Sequence, residues 1–510
     1  MAQCIAAIHN LQMQTGSRLA AVDLGSNIFR LEIGYLDHGH IQRTEYIKET
    51  VRQGNGLDEQ RNLTPDAMQR GWDCLARFGE RLAGFEKNQV RAVATQTLRE
   101  ARNRDAFILE AVKSLGFPID VISGQEEARL IYQGVAHLLP QTNEKRLVVD
   151  IGGRSTEMIL GQHYEAHAME SFRVGSVAWS MRYFPDHSFT AESFKLAEIA
   201  AQAVLDEALN TFRPEKWEVA YGSSGTIGAV GDVLEAAGWP AGKVSRAGLD
   251  WLLDKLIKAE RADRLRMEGM RDDRRFVIGG GLSVLRAVFD LLEIDEMLVA
   301  QGALRHGALY DLLDREDEQT DQRSNSVGRL ASKFSVDHAQ AQRVKQVVQQ
   351  LFTQMMAGMP PNEESTRAHR KLVWAAELHE VGSVISHSDY HKHGAYILDN
   401  SDATGFTLPE LHRLSLLVLG HRGKLRKLDV DFDDHLFLNQ LLALRLAVVL
   451  CHARRDPDLT GIRLTSTQKG SWEMTCPSGW SKKYPQSAYL LQEENVAWQK
   501  TPLAFTFKEL

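Results

Sequence analysis

One motif occurs twice, and that duplication constrains the chain more than any other feature. In Leu147-Val-Val-Asp-Ile-Gly-Gly-Arg-Ser-Thr-Glu-Met-Ile-Leu160 an apolar run ends at Asp150. The chain turns at Gly152 and Gly153 and resumes an apolar run at Met158. This predicts two strands joined at a glycine corner. Leu19-Ala-Ala-Val-Asp-Leu-Gly-Ser-Asn-Ile-Phe-Arg-Leu-Glu-Ile-Gly34 has the same build, with Asp23 before the corner, Gly25, Ser26 and Asn27 in it, and a strand from Ile28. Two such hairpins far apart imply a duplicated domain with a ligand between the halves. Glycines let backbone N–H groups approach an anion closely, and hydroxyls such as Ser155 and Thr156 add donors. Carboxylates repel phosphate, so Asp150 and Glu157, with Asp23 joining through water, are candidates to hold a hard cation such as Mg²⁺.

The segments around the hairpins fit a phosphate-handling α/β chain. Thr64-Pro-Asp-Ala opens a helix that runs to about Ala83, with Thr64 as its cap. Val90–Ala94 reads as a buried strand, and Thr95-Gln-Thr-Leu-Arg99 opens a helix beyond its carboxyl end. Arg99 is therefore placed to reach a ligand. Ile119–Ile122 leads through Ser123-Gly124 into a helix carrying Glu126 and Glu127 in its first turn. Either could serve as general base, because neighbours on a helix point about 100° apart. Val219-Ala-Tyr-Gly-Ser-Ser-Gly-Thr-Ile227 reads as strand, loop and helix, so Gly222, Ser223, Ser224 and Gly225 can cradle an anion at a helix start. Phe276-Val-Ile-Gly-Gly-Gly-Leu-Ser-Val284 is expected to repeat that device. Asp314–Ser326 is polar and expected to be a surface connection; beyond it the pattern is helical to about Arg455, then a few strands follow from Gly461.

Composition narrows the partners. The 510 residues carry a formal net charge of −7 with 43% apolar content. No global basic field points to nucleic acid, so a polyanionic substrate needs local basic patches. Four scattered cysteines, Cys4, Cys74, Cys451 and Cys476, fit a reducing compartment and argue against a structural zinc site. Residues 1–18 lack a secretory pattern, and Leu441–Leu450 is too short for a membrane span, so a cytoplasmic protein is expected. His421-Arg-Gly-Lys-Leu-Arg-Lys427 is a basic run in which Arg422, Lys424, Arg426 and Lys427 could form a rail for polyphosphate.

Asp-x-Gly hairpins in duplicate resemble the two phosphate loops of the actin, sugar-kinase and Hsp70 superfamily. Asp23-Leu-Gly-Ser-Asn27, Asp150-Ile-Gly-Gly-Arg-Ser-Thr-Glu157 and Ser123-Gly-Gln-Glu-Glu-Ala-Arg129 are similar to three motifs of the exopolyphosphatase and guanosine pentaphosphate phosphohydrolase family. The resemblance implies duplicated actin-like (ribonuclease H-like) domains with a cleft between them. A mostly helical HD-like domain and a small C-terminal β-containing segment follow. The expected domains are 1–130, 131–312, 313–458 and 459–510. It implies Glu127 as the base, Mg²⁺ with a monovalent cation as a further candidate, and a homodimer. One departure is Arg154, where the family has a small residue; an arginine there either binds phosphate or crowds the turn. Another is Gly279-Gly-Gly281, which resembles the adenosine loop of the kinases. Trp374-Ala-Ala-Glu-Leu-His-Glu-Val-Gly382 resembles the HD-hydrolase fold, but the pair is His379-Glu380 rather than His-Asp, so the site reads as degenerate.

The expected activity is an exopolyphosphatase that releases orthophosphate from polyphosphate. The alternative is a guanosine pentaphosphate (pppGpp) phosphohydrolase, or both activities. A small-molecule kinase or a non-catalytic polyphosphate sensor ranks lower.

Overall fold

Strands buried on both faces form the centre of each half. The computed structural model describes residues 16–37, 40–140, 142–316, 321–357, 363–401, 403–468, 470–499 and 501–510. Cys4 and most of the 1–18 segment lie outside these residues; Cys74, Cys451 and Cys476 are free thiols in buried positions. β1 (Arg18–Leu24) is buried after its first residue, and β6 (Arg146–Ile151) is buried throughout. Unbroken apolar runs of this kind suit strands covered by layers on both faces.

The chain divides into two compact units, 1–321 and 322–510. The first contains both Asp-x-Gly hairpins. Its first sheet joins β1 to β2 (Ile28–Asp37), β3 (His40–Thr50), β4 (Val90–Ala94) and β5 (Ile119–Val121), in the order β3-β2-β1-β4-β5. Its second sheet joins β6 to β7 (Thr156–Gln162), β8 (Glu165–Phe172), β9 (Val219–Ser223), β10 (Lys243–Ser245) and β11 (Glu296–Val299), in the order β8-β7-β6-β9-β11-β10. Each order begins with an antiparallel three-strand meander and continues with parallel neighbours, and the second ends with β10 antiparallel to β11. The sequence duplication is therefore a duplication of topology.

Register carries the repeat down to single residues. Asp23 lies opposite Arg30, and Asp150 lies opposite Glu157. Residues directly opposite on antiparallel strands share a face, where opposite charges attract and like charges repel. The first copy thus holds a paired acid and base. The second copy holds two acids.

Two helices tie the halves together. Gly124–Ala136 packs on β7 and β8 of the second half, and Leu304–Glu316 packs on that helix and on β1 and β4 of the first. They meet backbone to backbone. A side chain at Gly307 would come within 1.8 Å of the Leu130 carbonyl oxygen, and one at Gly134 within 2.3 Å of that of Ala303. The boundaries expected at 130/131 and 312/313 both fall inside these helices.

Two local expectations are corrected. Phe276–Val284 contains no strand; its glycines occupy the first turn of the helix Ile278–Leu291, where Gly280 sits against the backbone of Ser176 and Ser180. The glycines there serve close helix–helix packing and do not form an anion loop. Asp314–Ser326 does contain the division between the two units, at 321/322, but it is not a plain surface stretch. The helix Leu304–Glu316 runs into it, and the helix Gln322–Lys333 begins inside it with Arg323 and Ser326 buried. Arg323 pairs with Glu410 and stacks over Trp374, which draws the segment inward. Residues 317–320 of that stretch lie outside the described ones.

The second unit packs helices His338–Met356, Glu363–Leu378, Leu408–Gly420 and His435–Leu450 around a core that includes Leu372, Leu438 and Trp498. A small sheet of β12 (Arg463–Gln468), β13 (Ser471–Cys476) and β14 (Ala504–Glu509) follows. No helix among the described residues is long and apolar enough to cross a membrane.

Candidate active site

The carboxyl ends of β1 and β6 open on one cleft of about 390 Å³. Gly25, Ser26 and Asn27 line it from the first half, and Gly152, Gly153 and Ser155 from the second. The second corner is pinned from behind. Gly152 O accepts from Ser176 N and Ser176 Oγ, and Gly153 O accepts from Val177 N and Ala178 N. Ser224 and Gly225 line the cleft as well. Ser224 adopts φ +77°, a region that costs a non-glycine residue on the order of 1 kcal/mol or more. Its Oγ holds it there by donating to Ile151 O at 2.7 Å, and Thr226 Oγ1 donates to the same oxygen at 2.9 Å.

Three carboxylates face the cleft: Asp23, Glu127 and Asp150. Ser123 caps the Glu127 helix by accepting from Glu126 N at 3.1 Å. The two glutamates then diverge. Glu127 is at the cleft, with Arg99 Nη1 donating to its Oε2 at 2.7 Å. Glu126 is fully buried and forms two 2.8 Å bonds with Arg129, which also pairs with Asp311. Glu157 lies behind Asp150, 1% exposed, and accepts from Ser171 Oγ at 2.8 Å.

Burial pushes the Asp150 carboxyl up to about 6; Asp23 adds to the rise, while Ser223, Arg30 and Ser224 oppose it. Burial, then the nearby Glu127 and Asp150, raises Glu157 well above the carboxylate range. Burial also raises Glu127, against the pull of Arg99. The second hairpin is therefore a pocket of crowded negative charge.

Part of the cleft lining is basic. Arg30, Lys48, Arg271, Arg274 and Arg305 line the cleft beside Tyr46. Arg30 Nη1 reaches Asp23 Oδ2 at 3.0 Å, and Arg305 Nε donates to Glu32 Oε2 at 2.5 Å. Arg274 lies against Gly225, and burial together with Arg30 lowers its pKa. A guanidinium disfavoured by its surroundings gains most from an arriving anion. None of these cations was singled out from the sequence. Arg30 was findable from register, as the residue facing Asp23, and Arg271–Arg275 is a visible cluster of charge.

Several expected phosphate contacts are elsewhere. Arg99 does not line the cleft; its Nε and Nη2 donate to Gln96 Oε1, and Nη1 donates to Ile122 O as well as to Glu127. Arg154 does not line it either, and donates to Gly54 O and Glu100. Gly222 and Thr156 are set back, with Thr156 Oγ1 donating to Val174 O. Ser223 Oγ donates to Gly302 O. In the second unit Arg422, Lys424, Arg426 and Lys427 are exposed, with Arg422 over the Tyr390 ring. His379 is buried, its Nδ1 bonded to Ala376 O, and Glu380 pairs with Arg454. Among the described residues no group of three or more His, Cys, Asp or Glu side chains could hold a metal ion as it stands.

Two α/β halves of like topology, each presenting an Asp-x-Gly corner to a shared cleft, define an actin-like fold. Residues 33–316 match the Ppx/GppA phosphatase family, and residues 322–495 match Ppx/GppA phosphatase, domain III. The chain is 39% identical over 481 residues to the "Guanosine-5'-triphosphate,3'-diphosphate pyrophosphatase" of Vibrio atlanticus (strain LGP32), covering 93% of this chain and 95% of that one. The crystal structure of an exopolyphosphatase from Cytophaga hutchinsonii ATCC 33406 is 25% identical with a TM-score of 0.52, over 58% of this chain and 98% of that one. The Aquifex aeolicus member of the Ppx/GppA family is 25% identical with a TM-score of 0.50, over 59% and 99%. The chain belongs to the Ppx/GppA phosphatase family.

Proposed function

We propose that the chain hydrolyses the terminal phosphoanhydride bond at the 5′ end of pppGpp and releases orthophosphate. The observation that carries this reading is the 39% identity, along nearly the whole of both chains, to a relative named for that nucleotide. The cleft supports it. A nucleotide with phosphates at both 5′ and 3′ positions needs a place for the reacting phosphoryl group and a separate place for the remaining negative charge. The glycine corners suit the first. The wall of Arg30, Lys48, Arg271, Arg274 and Arg305 suits the second. The named relative thus favours the nucleotide over polyphosphate, which the motifs alone had placed first.

In this reading Glu127 takes a proton from water as the water oxygen attacks the terminal phosphorus. The bond between that phosphorus and the bridging oxygen breaks, and the leaving nucleotide keeps the bridging oxygen. Arg99 holds the carboxylate in place. Loss of charge crowding by a cation fits the donor set: Asp23 and Asp150 face the cleft, Glu157 stands behind, and burial and mutual repulsion raise Asp150 and Glu157. These residues would hold Mg²⁺, which keeps most of its ligands as water and phosphate oxygens and so needs no complete protein cage. When bound, the ion neutralises charge on the phosphates.

The test measures phosphate release from pppGpp and from long polyphosphate side by side with Mg²⁺ present. We expect the larger kcat/KM for pppGpp. A kcat/KM larger for polyphosphate would overturn the reading.

A further inference from the structure

Arg154 stands in the second corner, yet its side chain reaches into the first half. Its Nη1 donates to Gly54 O at 3.2 Å and its Nη2 to Glu100 Oε2 at 3.1 Å. The other Glu100 oxygen, Oε1, accepts from Gln96 Nε2 at 2.6 Å. Gln96 Oε1 in turn accepts from Arg99 Nη2 at 2.6 Å and Nε at 3.2 Å, and Arg99 Nη1 donates to Glu127 Oε2 at 2.7 Å. Gln96 is 5% exposed. The charges at its two ends leave its amide one orientation, because a carboxylate must accept and a guanidinium must donate.

We propose that Arg154 is a positioning residue: it clasps the two halves and, through Glu100, Gln96 and Arg99, fixes the carboxylate of Glu127. The chain of bonds is continuous, and each link uses both sides of the group it passes through. Without Arg154 the Glu100 carboxylate keeps only its bond from Gln96, which loosens the hold on the Gln96 amide and on the Nε–Nη2 edge of Arg99 and leaves Nη1 on Ile122 O. Glu127 then samples orientations in which its free oxygen no longer faces the attacking water. Misplacement by about 1 Å costs on the order of 10²-fold in rate. Arg154 does not line the cleft, so its loss leaves substrate affinity alone. This separates the proposal from both sequence-based readings of Arg154. A phosphate ligand would raise KM on removal, and a side chain that only crowds the turn would change neither constant.

The inference rests on the reading of Glu127 as base, so Glu127→Gln is measured alongside. Arg154→Ala and Gln96→Ala, assayed for pppGpp hydrolysis with Mg²⁺, are each expected to lower kcat by about tenfold or more, with KM within about twofold. The double variant is expected to lose no more than the worse single, because both cuts fall on one chain of bonds. Losses that multiply, or a KM that rises while kcat holds, would overturn the relay. If Glu127→Gln is inactive but Arg154→Ala and Gln96→Ala keep the parental kcat, the relay fails and the base stands. If Glu127→Gln stays active, the base reading itself is wrong. Should Arg154→Ala fail to fold, Gln96→Ala and Glu100→Gln decide the question by the same split.

Discussion

Glu126 and Glu127 are neighbours with opposite surroundings, and they should fail in opposite ways. Glu127→Gln keeps the shape of the side chain and cannot accept a proton. We expect turnover to fall by about 10²–10⁴-fold with nucleotide binding retained, measured by stopped assays and by calorimetric titration. Glu126→Gln removes one charge from the buried Arg129 network. Breaking a buried pair typically costs about 3 kcal/mol or more, so this variant should show a lower denaturant midpoint and near-parental turnover of its folded fraction. The reverse pattern would assign the chemistry to Glu126. Asp150 makes a third case. Its folded pKa lies above the ordinary carboxylate value, so the folded state holds more protons between about pH 4 and about pH 6. Its contribution to stability is therefore present at low pH and is lost as pH rises through that window. With Mg²⁺ present Asp150→Asn should be inactive, yet in metal-free buffer it should melt higher than the parent at pH 7.5, with the two curves converging near pH 4. A lower melting temperature for Asp150→Asn at pH 7.5 would overturn the crowding of charge at that carboxylate.

At the scale of elements, the site depends on how closely two helices meet. Gly124–Ala136 carries Glu127, and Leu304–Glu316 fixes its height above the sheets through the Gly134–Gly307 crossing. Gly307→Ala places a methyl group within 1.8 Å of the Leu130 carbonyl oxygen, a backbone atom that cannot turn aside. We expect a stability loss of about 1–3 kcal/mol and a fall in kcat as the Glu127 helix is pushed outward. Gly228→Ala is the control. Nothing lies within 4 Å of the added carbon in the helix Ser224–Ala236, so replacing glycine should stabilise by about 0.4–1 kcal/mol. Equal effects of the two substitutions on melting temperature would count against backbone contact at the crossing. The glycine runs show how far local reading carries. Gly25, Gly152 and Gly153 do form cleft corners, whereas Gly279–Gly281 reads alike in sequence and packs a helix. A glycine announces that something comes close, and only the packing says whether it is a ligand or another backbone.

At the scale of the whole molecule, every residue that lines the cleft falls between Asp23 and Arg305, inside the first unit. Residues 1–321 expressed alone should therefore fold cooperatively and release phosphate from pppGpp; a folded but wholly inactive fragment would mean that the second unit completes the site. The exposed cations Arg422, Lys424, Arg426 and Lys427 sit in that second unit. Neutralising all four should weaken long polyphosphate much more than pppGpp, with the salt slope of affinity falling by roughly one per phosphate contact removed. Equal effects on both substrates would make the run a solvated face. The class of fold and the general chemistry were legible without coordinates. Asp-x-Gly corners and continuously apolar strands are local patterns, and their repetition at Asp23 and Asp150 already pointed to two like halves with a ligand between them. The rest waited on tertiary structure. Which glutamate faces the cleft depends on the rotation of one helix, and that is set by Arg129 and Asp311 rather than by the two glutamates themselves. The basic wall joins Arg30 to Arg274 across most of the first unit, and Arg99 and Arg154 turn from the phosphate toward Glu127 and Glu100. Side-chain direction and long-range pairing are decided by packing, because a charged group goes where burial leaves it a partner, and no stretch of sequence contains its partner's position.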